Sequence, residues 1–290
     1  MNPFDLRGPQ FLGFYVSLSV IVIILFWLVR RVRERTNPGY GGSPITDPYL
    51  IATLRGGKNE LLRVTIVSLV DRGLMLVDGD AVQTTSIGRE SRARKRIERE
   101  LLEFCVARRE PKDIFEAKAF ELAVAEYELE LSRMRLLPDD EQRSARVALY
   151  AVGAAILAFF TITKIVVALS RGRTNIALLL LLSGIALLML AAVLFQRRTS
   201  KGDAFIAEMR NLFASLKLRA PQIRSGGATT ELAMLTAVWG VSALPKESYP
   251  WARTLFPRAA DAGSSGSSCG SSCGSGCGGG CGGGCGGCGG

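Results

Sequence analysis

Residues 147–169 read VALYAVGAAILAFFTITKIVVAL, and residues 176–195 read IALLLLLSGIALLMLAAVLF. A helix needs roughly 20 apolar residues to cross a hydrocarbon core about 30 Å thick, and each run meets that requirement. Only Ser170 to Asn175 separates the two runs, so they read as a tight helical hairpin in a membrane. Phe11 to Val29 is a third apolar run, this one without any charge, with Tyr15 and Trp27 near its two ends. A cleavable signal peptide would have a shorter apolar core and then a small-residue cleavage site. Here Arg30, Arg31, Arg33 and Arg35 follow the run directly, which predicts an uncleaved anchor.

Those arginines also orient the chain, because positive flanks stay on the cytoplasmic side. The N-terminus is expected outside and the C-terminus in the cytoplasm, in agreement with Arg197, Arg198 and Lys201 after the third run. Arg171 and Arg173 in the hairpin loop argue mildly against this orientation. Lys164 lies near enough to the end of its run to reach the interface with its ammonium. The net charge of +10 reads the same way, as basic flanks of membrane spans rather than a nucleic-acid footprint. The chain has no histidine. That removes the usual near-neutral general base and every Ser-His or Cys-His nucleophile pair, and argues against an enzyme.

Between the first run and the hairpin, Thr36 to Ser43 is rich in Pro and Gly and reads as a tether. Pro44 to Arg146 then forms a soluble region long enough to have its own core. Asp47-Pro48 predicts an N-cap and first turn for a helix through Leu54, closed by Gly56-Gly57. Asn59 would cap a second helix through Arg72, with Leu62, Ile66, Leu69 and Val70 on one face and Gly73 at its C-terminal end. Asp78-Gly79 between two apolar-rich runs predicts a β-hairpin with a type I′ turn. Two short helices followed by a hairpin give a winged-helix-like α+β module. The second helix offers only Lys58, Arg63 and Arg72 to a nucleic acid, so an interaction scaffold outranks DNA binding.

Arg89 to Arg99 is strongly basic, but its glutamates favour a solvated helix start over a phosphate-binding patch. Asp113 to Arg135 reads as one helix, with Phe115, Leu122, Leu129 and Leu136 at heptad spacing. That seam fits the winged unit or a second copy of the chain. Cys105 lies in an apolar helical setting and reads as packing. Beyond the hairpin, Ala204 to Leu218 is an amphipathic helix candidate. Glu231 to Leu244 is too short to cross comfortably, so an interfacial or packed helix is expected, with Tyr249, Trp251 and Phe256 as headgroup-level anchors.

From Ala262 to Gly290 the chain contains only Gly, Ser and Cys after its first two residues, a composition that cannot build a core. Its cysteines recur regularly at Cys269, Cys273, Cys277, Cys281, Cys285 and Cys288. Thiolates at such spacing are candidate ligands for a soft metal, Zn(II) or more favourably Cu(I), although no histidine or fixed knuckle supports them. In the cytoplasm they would not persist as disulfides.

Several segments together carry a resemblance. They are Asp47-Pro48-Tyr49, Leu54-Arg55-Gly56-Gly57, Leu69 to Leu76 (LVDRGLML), the hairpin, Val238-Trp239-Gly240 before Ala243-Leu244, and the tail. In these the chain resembles an uncharacterised family of bacterial multi-pass membrane proteins with a low-complexity Gly/Cys/Ser-rich C-terminal tail. It departs at Trp239, where that pattern would have Phe. The resemblance implies architecture and bacterial origin, and brings no activity, cofactor or catalytic residue.

The expected organisation is a mainly α-helical integral membrane protein with three transmembrane helices. The predicted parts are an anchor and basic flank (1–35), a cytoplasmic winged-helix-like module (36–146) and a transmembrane hairpin (147–196). Amphipathic or interfacial helices (197–261) and a disordered tail (262–290) follow. The expected function is a non-enzymatic inner-membrane protein that presents the module and tail to protein partners. Thiol-based metal or redox handling by the tail and a membrane-tethered nucleic-acid-binding regulator are the alternatives. The bilayer is the first expected partner, and a homo-oligomer is compatible with the heptad.

Overall fold

The computed structural model describes residues 8–36, 45–90, 93, 95–170, 177–220, 231–257 and 259. Most of the tether, the hairpin loop from 171, parts of the basic segment after Glu90, and the tail from Ala262 lie outside these residues. The helices and strands follow in chain order as α1 (Gly8–Thr36), α2 (Pro48–Gly56), α3 (Lys58–Asp71), β1 (Met75–Asp78) and β2 (Ala81–Thr84). Next come α4 (Ser86–Glu90), α5 (Arg96–Phe104), α6 (Pro111–Glu116), α7 (Glu121–Arg133) and α8 (Asp140–Ser170). The series ends with α9 (Ala177–Leu194), α10 (Ser200–Leu212), α11 (Ala214–Arg219), α12 (Glu231–Trp239) and α13 (Trp251–Leu255).

Among the described residues three helices are long and apolar enough to cross a membrane: Gly13–Glu34 in α1, Asp140–Val167 in α8, and all of α9. Only 28%, 17% and 28% of their most apolar windows are buried inside the protein, so most of that apolar surface faces outward. Among themselves the three pack through Val22, Phe26, Leu157, Ala186, Leu190 and Leu194. Deeper along the bundle the Thr161 hydroxyl lies 3.0 Å from the Tyr15 hydroxyl and 3.2 Å from that of Ser183, one polar contact from each helix. Interhelical hydroxyl contacts of this kind hold apolar helices in register where no hydrophobic force can.

The other elements form a mainly helical body around one core. The Asp47 carboxylate caps α2 by accepting the Tyr49 amide at 3.0 Å, with Pro48 in the first turn. Gly57 alone separates α2 from α3 and stands at the N-cap of α3 with φ +71°, so the expected Asn59 cap is replaced by glycine. Gly73 (φ +70°) ends α3 as expected, and the Leu74 amide turns back onto the Leu69 carbonyl at 2.9 Å. Strands β1 and β2 pair antiparallel with Asp78 opposite Ala81. The two-residue loop is therefore Gly79-Asp80, not Asp78-Gly79. Only Gly79 of the two takes a positive φ (+62°), which fits the II′ class and not the expected I′. On its other edge β2 meets Arg109, whose amide and carbonyl exchange hydrogen bonds with Val82 at 3.0 and 2.9 Å.

Three further expectations change. The helix read from Asp113 to Arg135 breaks at Ala117 into α6 and α7. On α7 the buried face is Ala123, Val124, Tyr127 and Leu131, whereas Leu122 and Leu129 point outward. Of the expected heptad, Phe115 and Leu136 pack against the core of the helical body and Leu122 and Leu129 do not, so the four make no continuous seam against it. The single helix read from Ala204 to Leu218 breaks at Phe213 into α10 and α11. The third change is the largest. Helices α10 to α13 pack with α2 to α7 in one core, and α12 lies against both α2 and α3. Of the two readings for Glu231 to Leu244, the packed one holds. Tyr249 and Phe256 are core residues and not membrane anchors.

Helix α3 is therefore enclosed on nearly all sides. Leu61, Leu62, Val64, Ile66, Val67 and Leu69 are each fully buried. Leu69→Ala in the full chain is expected to destabilise this body by about 2–5 kcal/mol, measured by denaturant or thermal unfolding in detergent. A loss below roughly 1 kcal/mol would mean that α3 is not enclosed in solution.

Candidate functional site

The most concentrated polar chemistry lies where the candidate spans meet the helical body. α1 continues past its apolar stretch, which places Arg30 and Glu34 one helical turn apart on one face. α8 brings Arg146 to the same place, one residue before its apolar run begins. Glu34 Oε1 accepts from Arg30 Nε at 2.8 Å and from Arg146 Nη2 at 2.6 Å. Its Oε2 accepts from the Ser200 amide and hydroxyl, each at 2.8 Å. Arg30 also donates to the Val193 carbonyl, to Gln196 Oε1 at 3.0 Å and to the Arg198 carbonyl at 3.1 Å. Arg146 donates to the Gln196 carbonyl at 2.5 Å.

Arg30, Glu34 and Arg146 are all buried, at 5%, 7% and 5% exposure. A buried ion cluster is tolerable only when its remaining donors and acceptors are also matched. Here one carboxylate takes four donors, and the two guanidinia satisfy carbonyls at and just beyond the end of α9. The cluster joins α1, α8, the end of α9 and the start of α10 in one knot.

A second joint follows within four residues. Arg197 Nη2 pairs with Glu128 on α7 at 2.7 Å. Its guanidinium lies against Gly57, where any Cβ would collide with it. Arg198 donates to the Arg55 carbonyl at 3.0 Å and pairs with Asp203 at 3.0 Å. The Thr199 hydroxyl lies 3.0 Å from the Arg135 and Leu136 carbonyls and accepts from the Gly202 amide at 3.1 Å, capping α10.

The segments around Tyr49, Arg55, Arg72 and Trp239 meet in two further clusters. Arg55, largely buried, pairs with Glu60 and donates to the Thr236 carbonyl of α12 at 2.9 Å, beside Gly240 (φ +96°). Glu60 also pairs with Arg63. Burial alone would raise the Glu60 carboxyl, but the Arg55 and Arg63 guanidinia hold it below the usual carboxylate range. Its contribution to stability is present above the unfolded pKa of about 4.3 and is lost as pH falls through the lower folded value. Trp239 completes this corner, with Lys217 Nζ 4.2 Å and Arg210 Cζ 5.7 Å from its ring centre. In the second cluster the Tyr49 hydroxyl and Arg72 Nη1 reach Glu98 Oε1 at 2.6 and 2.9 Å. Burial and the Glu98 carboxylate push the Tyr49 phenol up. The motif residues thus serve as internal joints of the helical body.

Cys269, Cys273, Cys277, Cys281, Cys285 and Cys288 lie outside the described residues. Among the described residues no group of three His, Cys, Asp or Glu is placed to hold a metal. Cys105 is buried, and burial pushes its thiol up to about 12, as suits a packing residue. Glu34, Arg146 and Glu60 have no individual role in the sequence reading. The one local signal is Glu34 itself, an acid four residues after Arg30 in a flank otherwise read only for its positive charge. In comparisons with known proteins, the chain matches no family model, no curated protein and no solved structure.

Proposed function

We propose that this chain is a non-enzymatic protein of the bacterial inner membrane. It crosses the bilayer three times and presents a cytoplasmic, winged-helix-like module and a Gly/Ser/Cys tail to protein partners. The observation that carries this reading is the knot at Glu34. It ties the three long apolar helices to α10, and α10 is part of the helical body's core. A body held in this way stands at a fixed height and angle to the bilayer, as a display module requires. The order α2, α3, β1, β2 supports the winged-helix likeness, and the basic flanks after α1 and α9 support the orientation.

Nucleic acid is the weaker partner. Lys58 Nζ donates to the Ala117 carbonyl at 2.7 Å, and Arg72 pairs with Glu98 at 2.9 Å. Arg63 pairs with Glu60 and lies 5.2 Å over the Phe115 ring. The cations that α3 could offer to phosphate are engaged within the body. The test is reporter fusion: a reporter at Gly290 should behave as cytoplasmic and one placed between residues 170 and 175 as external. External activity at Gly290 would overturn the orientation and move the module and tail out of the cytoplasm. Strongly salt-dependent retention of the purified full chain on duplex DNA would replace the interaction reading with a nucleic-acid one.

A further inference from the structure

A cavity of about 330 Å³ opens beside the Glu34 knot, between the ends of α1 and α8 and the turn that precedes α8. That volume lies at the small end of the roughly 300–1,000 Å³ typical of ligand pockets. Its floor is the Arg30–Glu34–Arg146 cluster, whose carboxylate oxygens are already taken and whose guanidinia are bonded to Glu34 and to neutral carbonyl and amide oxygens, leaving one net positive charge there. Its walls are different. Among the described residues the side chains of Arg135, Asp139 and Glu141 make no hydrogen bond or ion pair, although all three line the one cavity with Arg33. Gln142 Oε1 is buried there with no donor.

Arg135 is set in place by its backbone. It is the one non-glycine described with a positive φ (+58°), and its carbonyl faces the Thr199 hydroxyl at 3.0 Å. A bulky residue adopts this conformation only where its surroundings fix it. At the opposite end the lining turns apolar at Ala145 and Leu149. Leu149 lies seven residues along α8 from Gln142, or about 10 Å at 1.5 Å per residue.

We propose that this cavity binds the zwitterionic headgroup of an ethanolamine phospholipid. An unpaired guanidinium and unpaired carboxylates side by side call for one ligand that carries both complementary charges. The phosphate accepts from Arg135, with Arg33 adjacent. The primary ammonium has three N–H donors, which suit Asp139, Glu141 and the orphaned Gln142 oxygen. Leu149 and Ala145 lie where the first carbons of the acyl chains begin. A choline headgroup carries the same charges but no N–H, and a glycerol headgroup carries no cation, so the walls discriminate among common lipids by hydrogen bonding.

The inference rests on the chain being membrane-embedded, and the experiment separates the two. Membranes carrying the full chain are washed at alkaline pH. The protein is then purified in mild detergent and its retained dioleoyl ethanolamine, choline and glycerol phospholipids are compared by native mass spectrometry. The ethanolamine lipid should be retained about tenfold over the other two. Asp139→Asn with Glu141→Gln should reduce its advantage over the choline lipid to about one, whereas Arg135→Gln should weaken both. Equal retention by the wild-type chain, preference for the glycerol lipid, or no change in the acidic double variant overturns the headgroup assignment. Release of the chain by the alkaline wash overturns the membrane reading, whatever lipid is found.

Discussion

Glu34→Ala is expected to destabilise the full chain by about 3–5 kcal/mol, because it leaves two buried guanidinia without their counter-ion. The carboxylate sits 2.8 Å from Arg30 Nε and 2.6 Å from Arg146 Nη2 and also takes both Ser200 donors. Alanine removes four acceptor contacts at once, and at 7% exposure little water can replace them. The size of the effect comes from the orphaned charges more than from the lost attraction. The triple variant Arg30→Met, Glu34→Leu, Arg146→Leu should therefore recover much of the loss, since an apolar cluster leaves no unpaired charge. Thermal unfolding in detergent, followed by tryptophan fluorescence, measures both variants. A cost for Glu34→Ala within about 1 kcal/mol would show that the knot is hydrated.

A chain ended at Ala220 should lose the helical body altogether. The deletion removes α12, where Leu232, Ala233, Met234, Leu235, Ala237 and Val238 are each at most 7% exposed and pack against α2 and α3. Full burial of a large apolar side chain is worth about 1.5–3 kcal/mol, so the four largest alone contribute roughly 6–12 kcal/mol. That equals the whole net stability of a typical domain, about 5–15 kcal/mol. The Thr236 carbonyl would go as well, leaving the largely buried Arg55 with one acceptor fewer. Loss of cooperative unfolding and rapid proteolysis between residues 45 and 137 are the expected readouts. A chain ended at Ala260 keeps every residue of the described core and should unfold within a few degrees of the full chain. If the chain ended at Ala220 still unfolds cooperatively near the wild-type temperature, α12 is not part of the core.

Much of the architecture was legible because it is local. Apolar runs of spanning length mark α1, α8 and α9, Asp47-Pro48 marks the start of α2, and Gly73 marks the end of α3. The turn was found, but not its register, because Asp-Gly and Gly-Asp loops share the same short segment. The destination of α12 was not legible. A short helix apolar on every face has the same composition whether protein or lipid surrounds it, and no periodicity distinguishes the two. Tyr249 and Phe256 were misplaced for the same reason, since aromatic rings suit an interface and a core alike. The Glu34 knot is a different case. Of its partners, Arg30 is read only as a topology signal and Arg146 carries no reading of its own, and only the fold brings residues 112 positions apart into contact.

The helical body draws on chain before and after α8 and α9, and this sets a clock on its biosynthesis. When residue 137 leaves the ribosome, α2 and α3 exist but the helix that encloses them has not been made. Synthesis must continue through both apolar helices and on to Trp239, about a hundred residues later. At about 5–20 residues per second that delay is roughly 5–20 s. Throughout it the apolar face of α3 that α12 will cover is open. In that interval the nascent chain exposes apolar surface of the kind that makes folding intermediates prone to aggregate, and the body closes only after both apolar helices have been made.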